Sequence, residues 1–147
     1  MTSIGIDTNV LVRLLTGDDP AQEAVVHRLL APYDSIAESV VINDIVLVET
    51  LWTLKRLYGF DRAALIDVLD GLLSGNTFRF EHRDLVTAAV RLFIDGSADF
   101  SDCLIVIRNA LLGCETTATF DQGVNGLPAD DHVRQRLGLE GFSEAGE

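Results

Sequence analysis

The chain has 147 residues, 48% of them hydrophobic, and 23 acidic against 11 basic side chains leave a net charge of −12. That length and apolar content suit one domain with a real core, while the acidity argues against a protein that grips nucleic acid through a broad basic surface. No uninterrupted apolar run exceeds the five residues Cys103 to Ile107, far short of the roughly 20 needed to span a bilayer. The opening Met-Thr-Ser-Ile-Gly-Ile-Asp lacks the basic start and apolar middle of a secretory signal, so a soluble, cytoplasmic protein is expected.

In chain order, Ser3-Ile4-Gly5-Ile6 is a short β-prone run that stops at Asp7, and Thr8-Asn9 opens a helical turn running to Leu15. Asp7 is thereby placed at a strand's C-terminal end, where open α/β sheets bind their ligands. Gly17 breaks the chain, and Asp19-Pro20-Ala21-Gln22 reads as N-cap, N1 proline and capping-box Gln for a helix from Pro20 to about Leu30. Val40-Val41-Ile42 is a second strand candidate, and Asn43 caps a helix from Asp44 to Tyr58 that Gly59 ends. Asp61 caps the next, Arg62 to Leu73. Thr77 to Glu81 alternates like a strand, residues 82 to 94 have helical spacing, a helix over 99 to 112 ends at Gly113, and a strand is expected near Thr116 to Thr119, just before Asp121.

Alternating helices and strands of four to six residues predict an α/β fold: a three-layer α/β/α sandwich around a mainly parallel sheet. One domain over residues 1–140 is expected, with Gly141 to Glu147 as a disordered acidic tail. Cys103 and Cys114, if one helix joins them, lie about 16 Å apart, beyond disulfide reach, and both are read as reduced packing residues. His27, His82 and His132 share no ligand spacing with each other or with the cysteines, which argues against zinc.

Carboxylates occur where packing alone would not put them. Asp7 and Asp121 each end a strand. Glu49 has Ile45, Val46, Trp52 and Thr53 as its helical neighbours, so a buried charge is expected there, and buried charges are paired or bind metal. Arg56, about two turns on, is the alternative ion-pair partner. Asp99 and Asp102 share one side of a helix's first turn, where Asp99 also has the option of serving as an N-cap and Asp102 of favouring the helix dipole. Two carboxylates about 4 Å apart repel by roughly 4 kcal/mol at an effective dielectric of 20. If these acids converge they require a cation, and all-oxygen ligation selects Mg²⁺ or Mn²⁺.

Four motifs occur in order: Ile6-Asp7-Thr8-Asn9-Val10-Leu11-Val12-Arg13, Val48-Glu49 in an apolar helix, Ala98-Asp99-Phe100-Ser101-Asp102-Cys103-Leu104-Ile105, and Thr119-Phe120-Asp121. The set resembles the PIN-domain family over roughly residues 3 to 128, and the VapC-type toxin branch in particular. The resemblance implies a Mg²⁺- or Mn²⁺-dependent endoribonuclease, dimeric and neutralised by a cognate antitoxin. Carried over by position, the catalytic acids fall on Asp7, Glu49, Asp102 and Asp121, with Asp7, Asp102, Asp121 and the additional Asp99 as metal ligands. Thr8, Asn9 and Thr119 match supporting polar positions. Arg13, Lys55, Arg56, Arg79, Arg91 and Arg108 are candidates for phosphate contacts.

Three rival readings are weighed. An Asp-nucleophile phosphatase expects a second acid two positions after Asp7, where this chain has Asn9. A non-catalytic PIN-like module would keep the fold and bind RNA or protein without cleaving. In the plainest case the acids are caps and solvated positions of an ordinary α/β domain.

Overall fold

A computed structural model describes residues 2–120, in two compact units that divide between His82 and Arg83. Asp121 and the expected 141–147 tail lie outside the described residues.

The first unit is built on a parallel sheet of order β1-β2-β3, from β1 (Ile4–Gly5), β2 (Val40–Ile42) and β3 (Phe78–Phe80). Ile4 pairs with Val40, and Val40 with Phe78. Parallel neighbours need crossovers, and helices supply them. Between β1 and β2 run α1 (Thr8–Thr16), α2 (Pro20–Leu30) and a short 3₁₀ turn, Ala31–Tyr33; between β2 and β3 run α3 (Asp44–Tyr58) and α4 (Arg62–Ser74).

These helices start where their caps dictate. Asp7, Asp19, Asn43 and Asp61 each accept a first-turn N–H, from Asn9, Gln22, Val46 and Ala64 respectively. Gly17 (φ 58°) and Gly59 (φ 70°) end α1 and α3 in the left-handed conformation that glycine adopts without a Cβ penalty. Leu11, Leu47, Leu54 and Leu69 are completely buried in this unit, as is Ile42 of the central strand. Glu38, with φ 53°, enters β2 through a conformation that non-glycine residues rarely take. Its N–H donates to the Asn76 carbonyl at 2.6 Å, and the next side chain, Ser39, bonds the Tyr33 and Ile36 carbonyls.

The second unit holds α5 (Arg83–Asp95) and α6 (Phe100–Leu111), which pack on each other. Phe93 and Phe100 meet edge to face, ring centroids 6.0 Å apart, a favoured aromatic arrangement. No strand forms over residues 116–119. The threonines there have β propensity but no apolar face to bury, and the segment is instead tied back to α6 by Asn109, whose Nδ2 donates to Thr117 Oγ1 at 3.1 Å. The expected strands were also too long: two or three residues pair in each. Both cysteines are free, but only Cys103 is buried. Cys114 is exposed beyond the end of α6 and is not a packing residue, contrary to expectation.

No helix among the described residues is long and apolar enough to cross a membrane.

Candidate active site

Asp7 lies just past β1, after the buried Ile6, at the edge of the sheet where the strands end. Its Oδ1 accepts the Asn9 backbone N–H at 2.8 Å, so the acid is the N-cap of α1 and is itself exposed. Asn9 is exposed beside it and lines a shallow, apolar groove with Val10, Val25 and Val26. Thr8, half-buried in the first turn of α1, donates its hydroxyl to Glu49 Oε2 at 2.8 Å. One hydrogen bond thus joins the start of α1 to the second turn of α3, across 41 positions of sequence.

Glu49 corrects an expectation. It is exposed, and so are Ile45 and Trp52 on either side of it, at 68% and 57%. A helical period identifies which residues share a face but not whether another element covers it. Nor is Arg56 its partner: the guanidinium lies over the Trp52 ring, 5.8 Å from the centroid. The case for Glu49 therefore rests on its fixed orientation by Thr8, not on burial.

In the second unit, Asp99 occupies the N-cap position of α6 (φ −67°, ψ 157°) and Asp102 its first turn. Asp99 is exposed and Asp102 half-buried. Unlike the four caps of the first unit, Asp99 makes no side-chain capping hydrogen bond. Thr119 is half-buried beyond α6.

A second group of ligand-type side chains was not anticipated from sequence. Asp44, Glu81 and His82 each offer a ligand atom within 4.8 Å of the others, with Asp44 buried and the other two exposed. They follow β2 and β3, so the parallel pairing of those strands brings them side by side. Glu81 Oε1 accepts the Asp44 N–H at 3.0 Å, adding a second cap to α3. That is a structural task already, and the signal for it was an acid within two residues of the end of each of two adjacent parallel strands.

Residues 4–127 match the PIN domain family. This chain is a PIN domain. It is also similar to a VapC ribonuclease of Aquifex aeolicus (strain VF5), 22% identical over 115 residues, which is 78% of this chain and 84% of that relative. No solved structure matches it significantly. The parallel sheet and six α-helices among the described residues accord with the three-layer α/β/α architecture expected of a PIN domain.

The basic side chains of this PIN domain are not equally placed to meet a phosphate. Arg13 is committed elsewhere: it donates to Gln22 Oε1 (2.6 Å), Asp18 Oδ1 (2.9 Å) and Tyr58 Oη (2.9 Å). Tyr58 Oη in turn donates to Asp18 Oδ2 at 2.7 Å, and Thr16 Oγ1 to Asp18 Oδ1 at 2.9 Å. The Tyr58 and Thr16 hydroxyls, with Arg13, hold the Asp18 carboxyl below the usual carboxylate range, and the Tyr58 contact, with Asp18, pushes the Arg13 guanidinium up. The network fastens the turn after α1 to the last turn of α3, which removes Arg13 from the phosphate-binding candidates. Lys55, Arg56, Arg79 and Arg91 are exposed and Arg108 half-buried.

Proposed function

We propose that this PIN domain is a divalent-metal-dependent endoribonuclease that hydrolyses RNA phosphodiester bonds, and that it is the toxin of a toxin–antitoxin pair. The observation that carries the reading is the Thr8–Glu49 hydrogen bond. It holds an exposed carboxylate in one orientation beside the residue that follows Asp7, which an acid serving only solubility does not need.

The catalytic acids in this reading are Asp7, Glu49, Asp102 and Asp121, with Asp7, Asp102, Asp121 and Asp99 as the metal ligands and Thr8, Asn9 and Thr119 in support. The donors are all carboxylate oxygens, a set that fits Mg²⁺ or Mn²⁺ better than a softer metal. Such an ion, when bound, lowers the pKa of a water and stabilises charge on a phosphoryl oxygen. The chain's own contributions are more specific. Among the described residues Asp7 accepts from Asn9 through Oδ1 alone, so lone pairs on Oδ2 remain for a ligand. Glu49, with Oε2 fixed by Thr8, presents Oε1 as a ligand or as the group that receives the proton of the attacking water.

The excess of acidic groups favours a basic antitoxin segment as the inhibiting partner, with an arginine reaching the acids as its simplest mode. The functional unit is residues 1–140, acting in the cytoplasm as a homodimer. The test is 5′-end mapping of total cellular RNA after incubation with the purified protein and Mg²⁺, with EDTA and Asp7→Asn as controls. Discrete cuts lost in both controls are expected. Folded, antitoxin-free protein that makes no cuts would overturn the nuclease in favour of a binding module.

A further inference from the structure

We propose that Trp52 is the stacking platform for an unpaired base of single-stranded RNA, with Arg56 meeting the adjoining phosphate; the proposal deepens the ribonuclease reading above and rests on it. The juxtaposition is entirely within α3. Glu49, Trp52 and Arg56 stand at helical spacings of three and four, which places them inside an arc of about 60°. That face is open: all three side chains are exposed, the indole at 57%. A tryptophan carries more apolar surface than any other side chain and ordinarily hides most of it. Here it lies less than one turn from the carboxylate that Thr8 orients.

One further observation points to a nucleic-acid base as the ligand of the ring, and the chain's charge says how such a ligand would have to be held. The Arg56 guanidinium already sits 5.8 Å from the ring centroid, so a cation and a π-face are presented together, the pairing by which single strands are held without reading their sequence. A chain with net charge −12 also has little long-range attraction for a polyanion. Its hold on RNA must then come from stacking and a few local cations, and with Arg13 bound into the Asp18–Tyr58 network, Arg56 is the cation on the face of Glu49. A base seated on Trp52 would bring the phosphodiester beside it within reach of the Glu49 side of the helix. It also restricts the substrate to unpaired segments, because a duplex keeps its base faces stacked on one another.

The chain has a single tryptophan, so emission excited at the red edge, where the two tyrosines do not absorb, reports on this site alone. The probe is a short single-stranded RNA of mixed sequence, titrated with Ca²⁺ in place of Mg²⁺ to hold back cleavage, beside the same RNA annealed to its complement. Saturable quenching by the single strand and far weaker quenching by the duplex are expected. By fluorescence anisotropy of labelled RNA, Trp52→Ala should weaken binding about 5- to 150-fold, the range of one base–aromatic stack, with Trp52→Phe retaining most of the affinity. Arg56→Gln should flatten the salt dependence by about one phosphate contact.

Unquenched emission in saturating RNA, or unchanged affinity in Trp52→Ala, would overturn the proposal. Blue-shifted emission that grows with protein concentration and ignores RNA would also do so, by showing that a second copy of the chain covers the face. Glu49→Gln separates this inference from the reading beneath it. Loss of cleavage without any RNA-dependent quenching removes the platform alone, whereas quenching with wild-type cleavage in Glu49→Gln keeps the platform and removes Glu49 from the chemistry.

Discussion

The two faces of α3 both carry large apolar side chains and do opposite things. One face buries Leu47, Thr50, Leu51 and Leu54. The other leaves Ile45 at 68% and Trp52 at 57% exposed, with Glu49 and Arg56 between and beyond them. The charges of Glu49 and Arg56 account for part of that difference, but not for the exposure of Ile45 and Trp52, which are at least as apolar as the buried Thr50. What differs for those two side chains is that, among the described residues, no other element of the fold covers them.

The sharpest way to break this comparison is to change one residue on each face. Glu49→Gln should lower cleavage by about 10²- to 10⁴-fold, in an RNase assay with Mg²⁺, while leaving stability within about 0.5 kcal/mol, as exposed substitutions do. Leu47→Ala should do the reverse, costing about 2–5 kcal/mol in urea unfolding through the cavity it leaves. A Glu49→Gln protein as destabilised as Leu47→Ala would mean that the outer face is structural after all. Thr8→Val deletes the bond that orients Glu49 and should cost about tenfold in cleavage, with metal-binding affinity measured alongside.

Thr50 tests the inner face. Its hydroxyl is completely buried and has no hydrogen-bond partner among the described residues. Thr50→Val, nearly isosteric, should raise stability by about 1 kcal/mol; a loss of similar size would reveal an acceptor that the hydroxyl reaches. The smallest effect lies at the end of the helix, where Tyr58 meets Asp18. The Asp18 pKa is lowered on folding, mainly by the Tyr58 and Thr16 hydroxyls, so its contribution is present above its unfolded pKa and is lost as pH falls through the lower folded value. Stability curves for the wild type and Asp18→Asn should therefore differ near neutrality and converge in acid, below the ordinary carboxylate range.

The helices were legible in the sequence because their ends carry local chemistry. Asp19-Pro20, Asn43 and Gly59 fix boundaries through bonds made within a few residues, and α2 and α3 run as those signals indicate. The strands were less so, since pairing depends on a neighbour about 40 residues away, and Thr116 to Thr119 has β-type residues without a strand. At the site, the residue types at Asp7, Thr8 and Glu49 were readable, but the exposure of Glu49 was not, because it depends on what packs against α3. The commitment of Arg13 to Asp18 and Tyr58 was hidden for a similar reason: its partners come from a turn and from the far end of another helix. Asp44 with Glu81 and His82 required the strand order β2-β3 before the three could be seen as neighbours.

The sheet's connectivity also sets a schedule. β1 must wait for residue 40 and β2 for residue 78 before either finds its parallel neighbour, so no pair of strands closes locally and folding is expected to be slow for the chain's size. On a ribosome, the central strand emerges with one edge unpaired until β3 and then Glu81 follow, and Glu81 is the residue that finishes the start of α3. The helix bearing Glu49 and Trp52 therefore gains its last backbone cap only after more than half the chain has been made.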